Sequence, residues 1–286
     1  RDWREANQHK LEPASDLLER ILETRRQSWQ GRGKFKEPVA PDIADPPDLP
    51  DGWAWTSLDS LIKEFVTGPF GSALHKSDYV DDGTPLVNPI NIVNGLIIPD
   101  GKKCVNEATL NRLRRYALKV DDVVIARRGD MGRCAAVTSN EENWLCGTGS
   151  MVLRPSPAVL PEFLSLAIRS FYVVSFLETN SVGTTMKNLN QKTLLAAPIA
   201  IPSLDEQKAA IEVLEVEFAK IASLGDACKA ELARSASIRQ SILKSAFTGQ
   251  LVPQDPNDEP ASELLARIQP AMADKSKKVS LLKEER

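Results

Sequence analysis

The chain has 286 residues, of which 42% are hydrophobic, and a formal net charge of −3. This length allows one large or two small domains with a proper core, and the near-neutral charge argues against a protein that coats nucleic acid indiscriminately. No apolar run approaches the roughly 18 residues of a membrane span and no signal-peptide pattern opens the chain, so we expect a cytoplasmic protein.

The chain opens on Arg1 rather than on methionine, which suggests a fragment or a longer protein whose beginning is missing. Its histidines are His9 and His75, and its four cysteines are scattered without a C-x-x-C pair. This pattern predicts neither a structural zinc site nor a disulfide framework.

Residues 1–30 form the first predicted region, with a helix from Glu12 to Trp29 whose leucines and isoleucine lie on one face. Prolines then recur through residues 31–50. Because proline continues neither a helix nor a central strand, this second region is predicted to be a stiff linker.

Residues 51–202 change to short apolar runs separated by Gly, Pro, Asn and Asp, which is typical of strands in a mixed sheet. A short helix is expected over Leu58 to Phe65 and a longer one over Glu162 to Glu178. Functional residues concentrate on loops, so the irregular connections are expected to form binding surfaces. Strands are expected at 85–90, 96–98, 122–126, 133–138 and 150–154.

Residues 203–249 predict one long helix, because Ser203 and Glu206 have the spacing of a capping box and Gly249 supplies a stop. At about 1.5 Å per residue it would be roughly 65 Å long, more than a domain of this size can cover. Its apolar side chains recur at steps of three and four, as in a coiled-coil seam. Those assigned to a partner helix are Ile211, Leu214, Phe218, Ile221, Leu232 and Ile242. The seam either folds back or pairs in a homodimer, or it belongs to a spacer arm that awaits a second, similar helix.

A repeat links the two ends of the chain. The segments 12–21 and 259–268 share eight of ten residues, 247 positions apart, including a Glu-Pro-Ala-Ser start. Two unrelated amphipathic helices could share leucines but hardly this start. The parent architecture is therefore predicted to be a tandem duplication of a loop-rich α/β domain followed by a long helix. Residues 250–286 form a tail that carries the second copy of the short helix.

Residues 101–133 hold nine basic and four acidic residues, a local excess of +5 on an otherwise acidic chain. A solvated face is the ordinary explanation of such a run, and contact with DNA phosphates is the alternative. Arg127 and Arg128, beside Gly129 at a predicted strand end, are the strongest candidates for DNA contact.

Short motifs stand in order along the chain: Leu49-Pro-Asp-Gly-Trp53, Gly68-Pro-Phe-Gly-Ser72, Arg127-Arg-Gly-Asp-Met-Gly132, Ile201-Pro-Ser-Leu-Asp-Glu-Gln207 and Ser241-Ile-Leu-Lys-Ser-Ala-Phe-Thr-Gly249. In this order and spacing they resemble the DNA-specificity subunit of type I restriction-modification enzymes over nearly the whole chain. In that family two target-recognition domains each read half of a split DNA site, and two long antiparallel helices separate them. This sequence resembles the C-terminal half, with one recognition domain and the distal conserved helix.

The resemblance implies an α+β fold, with a loop-rich mixed α/β target-recognition domain over 51–202 and a long coiled-coil-type spacer helix over 203–249. It implies a non-catalytic subunit that reads one half of a split site in double-stranded DNA and docks methyltransferase (modification) subunits through the long helix. A restriction/translocase subunit would join the full complex. S-adenosylmethionine and ATP would bind to those partners, so no cofactor is expected here. Self-association through the long helix stays open.

The residues themselves indicate no catalytic site. The nearest match to the Asn/Asp-Pro-Pro-aromatic tetrad of adenine methyltransferases is Asp45-Pro-Pro-Asp48, which lacks the aromatic residue. The sequence has no phosphate-binding loop, no dinucleotide fingerprint and no Ser/His or Cys/His pair that can be nominated. We therefore expect no enzyme activity and no metal site in this chain.

DNA reading needs Lys and Arg for phosphates, and Arg, Asn or Gln for base edges. The glycines after residue 67 are expected to let the backbone approach a duplex, although an ordinary turn also explains them. Asparagines are expected to offer amides, although turns often use them structurally. The residues predicted to contact DNA are Gly68, Phe70, Gly71, Ser72, His75, Lys76, Asn88, Asn91, Arg127, Arg128, Thr184, Thr185 and Lys187.

Two other functions remain open at this stage. An oligomeric coiled-coil scaffold without sequence-specific DNA binding would use the long helix alone and leave the basic run solvated. An enzyme with an unrecognised site would require a cofactor pocket.

Overall fold

The computed structural model describes residues 2–7, 11–30, 34–43, 46–70, 73–181, 188–253 and 255–269. The chain divides into two compact units, Arg1–Glu217 and Phe218–Arg286. Among the described residues, no helix combines the length and the apolar character that crossing a bilayer requires.

The helices of the described residues are α1 (Asp2–Asn7), α2 (Ala14–Gln27), α3 (Leu58–Leu61), α4 (Glu107–Arg112), α5 (Pro161–Ile168), α6 (Phe171–Asn180), α7 (Gln191–Leu195), α8 (Leu204–Phe247) and α9 (261–269). The strands are β1 (Ala54–Ser57), β2 (Ile62–Thr67), β3 (Tyr79–Val80), β4 (Thr84–Val87), β5 (Ile92–Val93), β6 (Leu96–Ile97), β7 (Cys104–Val105), β8 (Val123–Ala126), β9 (Cys134–Ala136), β10 (Leu145–Cys146), β11 (Ser150–Pro155) and β12 (Pro198–Ile201).

The first unit has three layers. A sheet in the order β2-β11-β8-β9 lies between a layer of helices and a second sheet in the order β10-β4-β7-β3. The residues of strand β8 explain why this sheet is covered on both faces. Val123 and Ile125 enter the core on the helix side, and Val124 and Ala126 enter the core between the sheets. Side chains alternate across a strand, so four consecutive apolar residues make a strand that is buried on both faces.

The proline-rich linker has no regular structure in its described part, and it lies against residues at the start of the sheet domain. The amide of Val39 donates to the carboxylate of Asp59 (2.9 Å), and the indole of Trp55 donates to the carbonyl of Pro47 (3.1 Å). These bonds hold the linker on the domain rather than leaving it as a free spacer.

The helix expected over Leu58 to Phe65 is wrong beyond its first turn, because α3 ends at Leu61 and strand β2 begins at the next residue. Strand β2 pairs along β11, which supplies partners for its backbone. The apolar run fits either structure locally, and only the neighbouring strand decides between them.

The single helix expected over Glu162 to Glu178 is also wrong. The structure divides it into α5 and α6, and the amide of Ser170 closes a turn on the carbonyl of Ala167 (3.1 Å) between them. The break lets both short helices pack on the helix-side core, through Leu164 and Leu177.

The long helix is confirmed as α8, and Gly249 follows it at φ 70°, in the left-handed region that ends a helix. The hydroxyl of Ser203 accepts a hydrogen bond from the amide of Glu206 (3.3 Å), which is half of the expected capping box. The other half is wrong, because the buried carboxylate of Glu206 accepts from the indole of Trp53 (2.9 Å) and pairs with Arg4 (2.9 Å). The expected α+β fold class is confirmed.

Gln207 fixes the first turn of α8 to the first unit. Its side chain is fully buried, and its carbonyl oxygen accepts from the amide of Leu160 (2.9 Å). Its amide nitrogen donates to the carbonyls of Pro202 (3.2 Å) and Ala158 (3.3 Å). Because both ends of this amide are used, the start of the long helix is held by polar contacts as well as by packing.

Candidate nucleic-acid interface

Strands of both sheets end at one edge of the first unit. The amide of Gly68, after β2, donates to the carbonyl of Ser150 (3.0 Å), where β11 begins. The amide of Arg127, after β8, donates to the carbonyl of Gly149 (2.8 Å). These bonds join the ends of three neighbouring strands.

The second sheet and a distant segment join the same edge. The amide of Gly147, after β10, donates to the carbonyl of Val87 at the end of β4 (2.9 Å), and the amide of Leu189 donates to the carbonyl of Arg127 (2.9 Å). We call this assembly the loop cluster. It consists of residues 68–70, 88–91, 127–133, 147–149 and 188–189.

Arg127 is fixed within the loop cluster, while Arg128 is exposed beside it. The guanidinium of Arg127 donates through Nε to the side-chain oxygen of Asn188 (3.2 Å), and the backbones of Asn188 and Arg128 form an isolated antiparallel β-bridge. Gly129 follows at φ 86° with open space around it. Two of the strongest sequence candidates therefore lie together, and their role in DNA contact stays a prediction.

Arg133 adds a cation that the sequence did not single out. Its Nη1 donates to the carbonyl of Pro89 (3.2 Å), and its Nη2 pairs with Asp130. The loop cluster therefore has three arginines, Arg127, Arg128 and Arg133, and one aspartate, Asp130, so positive charge remains in excess. Such a surface favours a polyanion.

Gly68 is buried, and its lack of a side chain has an internal cause. A Cβ there would lie 2.2 Å from the carbonyl oxygen of Gly147 and 2.7 Å from that of Ser150. The glycine therefore allows two strand ends to approach each other, and this close packing explains it without a duplex; its contact with DNA stays a prediction.

Asn91 is likewise buried and supports the turn before β5. Its side-chain oxygen accepts from the amide of Asn88 (3.0 Å), and its side-chain nitrogen donates to the carbonyl of Ile98 (3.0 Å). This amide is not available to a base, and the structural use of asparagine in turns explains it. The side chain of Asn88 is half-buried within the loop cluster.

The remaining predicted residues divide into three groups. The ring of Phe70, at the edge of the loop cluster, is 62% exposed. His75 and Lys76 are exposed on a 3₁₀ turn that Arg112 ties to α4 by pairing with Asp78 (3.0 Å). The other predictions lie outside the described residues: Gly71, Ser72, Thr184, Thr185 and Lys187.

The basic run over 101–133 does not form one surface. Arg127 and Arg128 follow β8, whereas Lys119 precedes it. The backbone amide of Lys119 donates to the carboxylate of Asp122 (2.9 Å). Arg115 lies over the ring of Tyr116 (4.4 Å to the ring centroid). Lys119 and Arg127 therefore lie at opposite ends of strand β8, although they are close in sequence.

Buried charges at that other end have a structural role. Arg154 on β11 donates to Asp122 (3.3 Å) and to Glu64 (2.6 Å). Burial raises the pKa of Asp122 above its ordinary value, although hydrogen bonding to Lys119 and the charge of Arg154 oppose this. Arg154 and Asp122 therefore form a buried ion pair between the strands, and the exposed Glu64 pairs with Arg154 from the surface.

The sequence also missed Thr148, which is exposed on the tight turn between Gly147 and Gly149. The amide of Ser150 closes this turn on the carbonyl of Gly147 (3.1 Å). The signal was the run Cys-Gly-Thr-Gly-Ser directly after an apolar pair, which is typical of a turn between strands. Its hydroxyl adds a donor to the loop cluster.

The predicted seam of α8 is exposed over most of its length. Ile211 packs partly against the helix-side core of the first unit, so only part of its side chain is available to a partner. The other predicted seam residues are exposed: Leu214, Phe218, Ile221, Leu232 and Ile242.

Comparisons with known proteins give one consistent result. The family model described as "Type I restriction modification DNA specificity domain" matches residues 59–233. The type I restriction enzyme EcoEI specificity subunit of Escherichia coli is 33% identical over 246 residues, which cover 83% of this chain and 40% of that protein. The EcoAI specificity subunit of Escherichia coli is 28% identical over 314 residues, covering 90% and 51%. The chain thus spans about half the length of the curated relatives it matches.

Solved structures show a similar fold. The HsdS subunit from Thermoanaerobacter tengcongensis matches with a TM-score of 0.51 and 20% identity, over 75% of this chain and 53% of that one. A chain from a study of complex assembly and conformational transition in the type I R-M system matches with a TM-score of 0.57 and 21% identity, over 83% and 54%.

Proposed function

We propose, starting from the fact that this chain belongs to the type I restriction-modification DNA specificity family, that it reads one half of a split site in double-stranded DNA. In this proposal it performs no chemistry itself. Methylation and ATP-driven cleavage belong to methyltransferase and restriction/translocase subunits, which the chain joins through its long helix.

The observation that carries the proposal is the loop cluster. Five segments that are far apart in sequence meet where the strands end, and hydrogen bonds between their backbones hold them in place. Arginines, a half-buried asparagine and an exposed threonine hydroxyl lie on this rigid frame. Arginine binds phosphates and guanine, asparagine binds adenine, and hydroxyls bind either, so these side chains suit the major groove.

The test is selection of duplex DNA by the full chain, with and without a methyltransferase subunit of the same class. A pool with a randomised central region is passed over the protein, and the retained duplexes are sequenced. The proposal expects a short fixed half-site, or two copies of it at fixed spacing. Retention without any base preference would contradict it and favour the coiled-coil scaffold.

A second observation supports a partner helix on α8. The exposed seam side chains are aliphatic or aromatic and follow the steps of a heptad, so burying them against another helix would remove a large apolar surface from water. Gly225 and Cys228 lie in the middle of this seam, where small residues allow a close approach. The seam therefore fits a second long helix, from another copy of this chain or from another part of a longer subunit.

The repeat supports the same conclusion for the tail. In the first copy Leu17 and Ile21 are 0% and 3% exposed within the helix-side core, whereas their counterparts Leu264 and Ile268 are 42% and 41% exposed on α9.

Both copies make the same ion pair. Arg20 binds Glu12 (2.6 Å), and Arg267 binds Glu259 (2.8 Å). The same ion pair therefore links the start of each segment to its helix. We expect α9 to occupy, on a second recognition domain, the position that α2 occupies here.

A further inference from the structure

Ile90 is exposed to solvent, whereas the residues around it make hydrogen bonds and packing contacts within the protein. Its side chain is 70% exposed in the turn between β4 and β5. Single exposed apolar residues are ordinary on protein surfaces. This one differs because it lies in the loop cluster on a turn that is fixed from several sides.

Hydrogen bonds within the turn fix its shape. The amide of Asn91 donates to the carbonyl of Asn88 (2.9 Å), and the amide of Asn88 donates to the side chain of Asn91 (3.0 Å). Proline at the first position restricts the backbone further.

Neighbouring segments hold the turn from outside. Arg133 donates to the carbonyl of Pro89 (3.2 Å), and a Cβ on Gly149 would lie 2.9 Å from the Pro89 ring. The turn is therefore packed against the segment 127–133, which carries the arginines, and against the turn at Gly149. The side chain of Ile90 therefore projects from a turn whose position is fixed by these contacts.

We propose that Ile90 contacts the C5-methyl group of a thymine in the DNA half-site. An isoleucine side chain has no donor or acceptor, and the thymine methyl is the apolar group among the base edges of the major groove. Neighbouring arginines bind phosphates or guanine and bring the duplex to the turn. This inference rests on the proposed function and adds a specificity-determining residue to it.

An apolar face on the adjacent hairpin suggests the rival occupant, a protein. Strands β5 and β6 pair Val93 with Leu96, and both side chains point outward and are exposed, as is Ile98. The cationic surroundings of Ile90 favour DNA over an apolar protein surface, because Arg133 holds the turn itself. Leu96 is a matched control, since it is exposed to a similar degree and lies on the outward face of the hairpin.

The experiment uses the full chain and the duplex that it selects. Each thymine of the half-site is replaced in turn by deoxyuridine, which removes only the methyl group, and Kd is measured by fluorescence anisotropy. One replacement should weaken binding by the wild-type chain by about three- to fivefold, the effect of losing one buried methyl. Ile90→Ala should weaken binding to the thymine duplex by a similar factor and remove the difference between thymine and deoxyuridine. Ile90→Val should keep the difference, and Leu96→Ala should change neither value.

Other outcomes would overturn the inference. It fails if no deoxyuridine matters, if Ile90→Ala keeps the thymine preference, or if Ile90→Ala weakens all sequences equally. It also fails if Ile90→Ala and Leu96→Ala leave DNA selection unchanged and both weaken capture of a methyltransferase subunit, since the face would then bind protein. A wild-type chain that selects no sequence would instead contradict the proposed function itself.

Discussion

Arg127 and Arg128 differ in how firmly they are held, and this difference predicts their roles. Asn188 orients the guanidinium of Arg127, and such orientation suits a side chain that makes a bidentate contact with a base. Arg128 is more exposed. Arg127→Ala should weaken binding to the selected duplex by about 1–3 kcal/mol and relax the preference at one position. Arg128→Ala should weaken all sequences about equally, as loss of a phosphate contact does. Titrations with selected and scrambled duplexes measure both.

Lys119→Ala provides the control for charge alone. Lys119 lies before β8, at the end of the strand opposite to Arg127, and its removal changes the net charge by the same amount. Its DNA affinity should stay close to that of the wild-type chain. Equal losses from all three substitutions would show that only overall charge matters.

The cysteines predict a single reactive thiol in the folded protein. All four lie within the described residues as free thiols; Cys104, Cys134 and Cys146 are buried, and Cys228 is exposed on α8. Burial raises the pKa of Cys134 to about 12 and also raises the pKa of Cys104 and Cys146. Because the thiolate is the reactive form, a maleimide at neutral pH should label Cys228 alone in the unpaired chain, and pairing of the α8 seam should slow that labelling. Mass spectrometry should show one adduct in the native state and four in denaturant.

The same thiols give the folding stability a pH dependence with a definite sign. A raised pKa means that the folded state holds its protons more tightly than the unfolded state does. The stability from Cys134 is therefore complete below the ordinary thiol pKa of 9.0 and is lost as the pH rises towards about 12. Urea unfolding at pH 8 and pH 10 should show the lower free energy of unfolding at pH 10, and Cys134→Ala should reduce the difference.

At the scale of elements, the joint between the sheet domain and α8 depends on one amide. Gln207→Met keeps the side-chain volume but leaves the amide of Leu160 and the carbonyl of Pro202 without this partner. The free energy of unfolding should fall by about 2 kcal/mol, the cost of leaving buried polar groups unpaired. Gln240→Met, on the exposed part of the same helix, should change stability little. Equal effects from both would show that the buried bonds contribute nothing.

At the scale of the whole molecule, α8 and α9 predict association. Ile221→Asp on the seam and Leu264→Asp on α9 each place a charge on an exposed apolar face. Each should abolish pairing with a second copy and leave the first unit folded, because neither residue belongs to its core. Sedimentation velocity measures the pairing, and circular dichroism checks the fold.

A matched variant separates docking from folding. Leu17→Asp makes the same change in the first copy of the repeat, where the side chain is buried, and it should unfold the first unit. A monomeric wild-type chain, or an unchanged oligomeric state in both variants, would show that these faces bind something other than a second copy.

Patterns carried by consecutive residues were predictable from the sequence. They are the apolar run of β8, the heptads of α8 with its terminal Gly249, and the repeat that recurs in α9, because each depends on local periodicity or on identity between two segments. The family motifs can be recognised for the same reason, since each is a run of consecutive residues.

Choices between distant partners were decided only by the tertiary structure. It placed β2 where a helix was expected, turned Glu206 from its own helix end to Trp53 and Arg4, and divided the basic run between the two ends of β8. A side chain's role depends on which buried groups it must satisfy, and those groups come from segments that the linear pattern does not bring together.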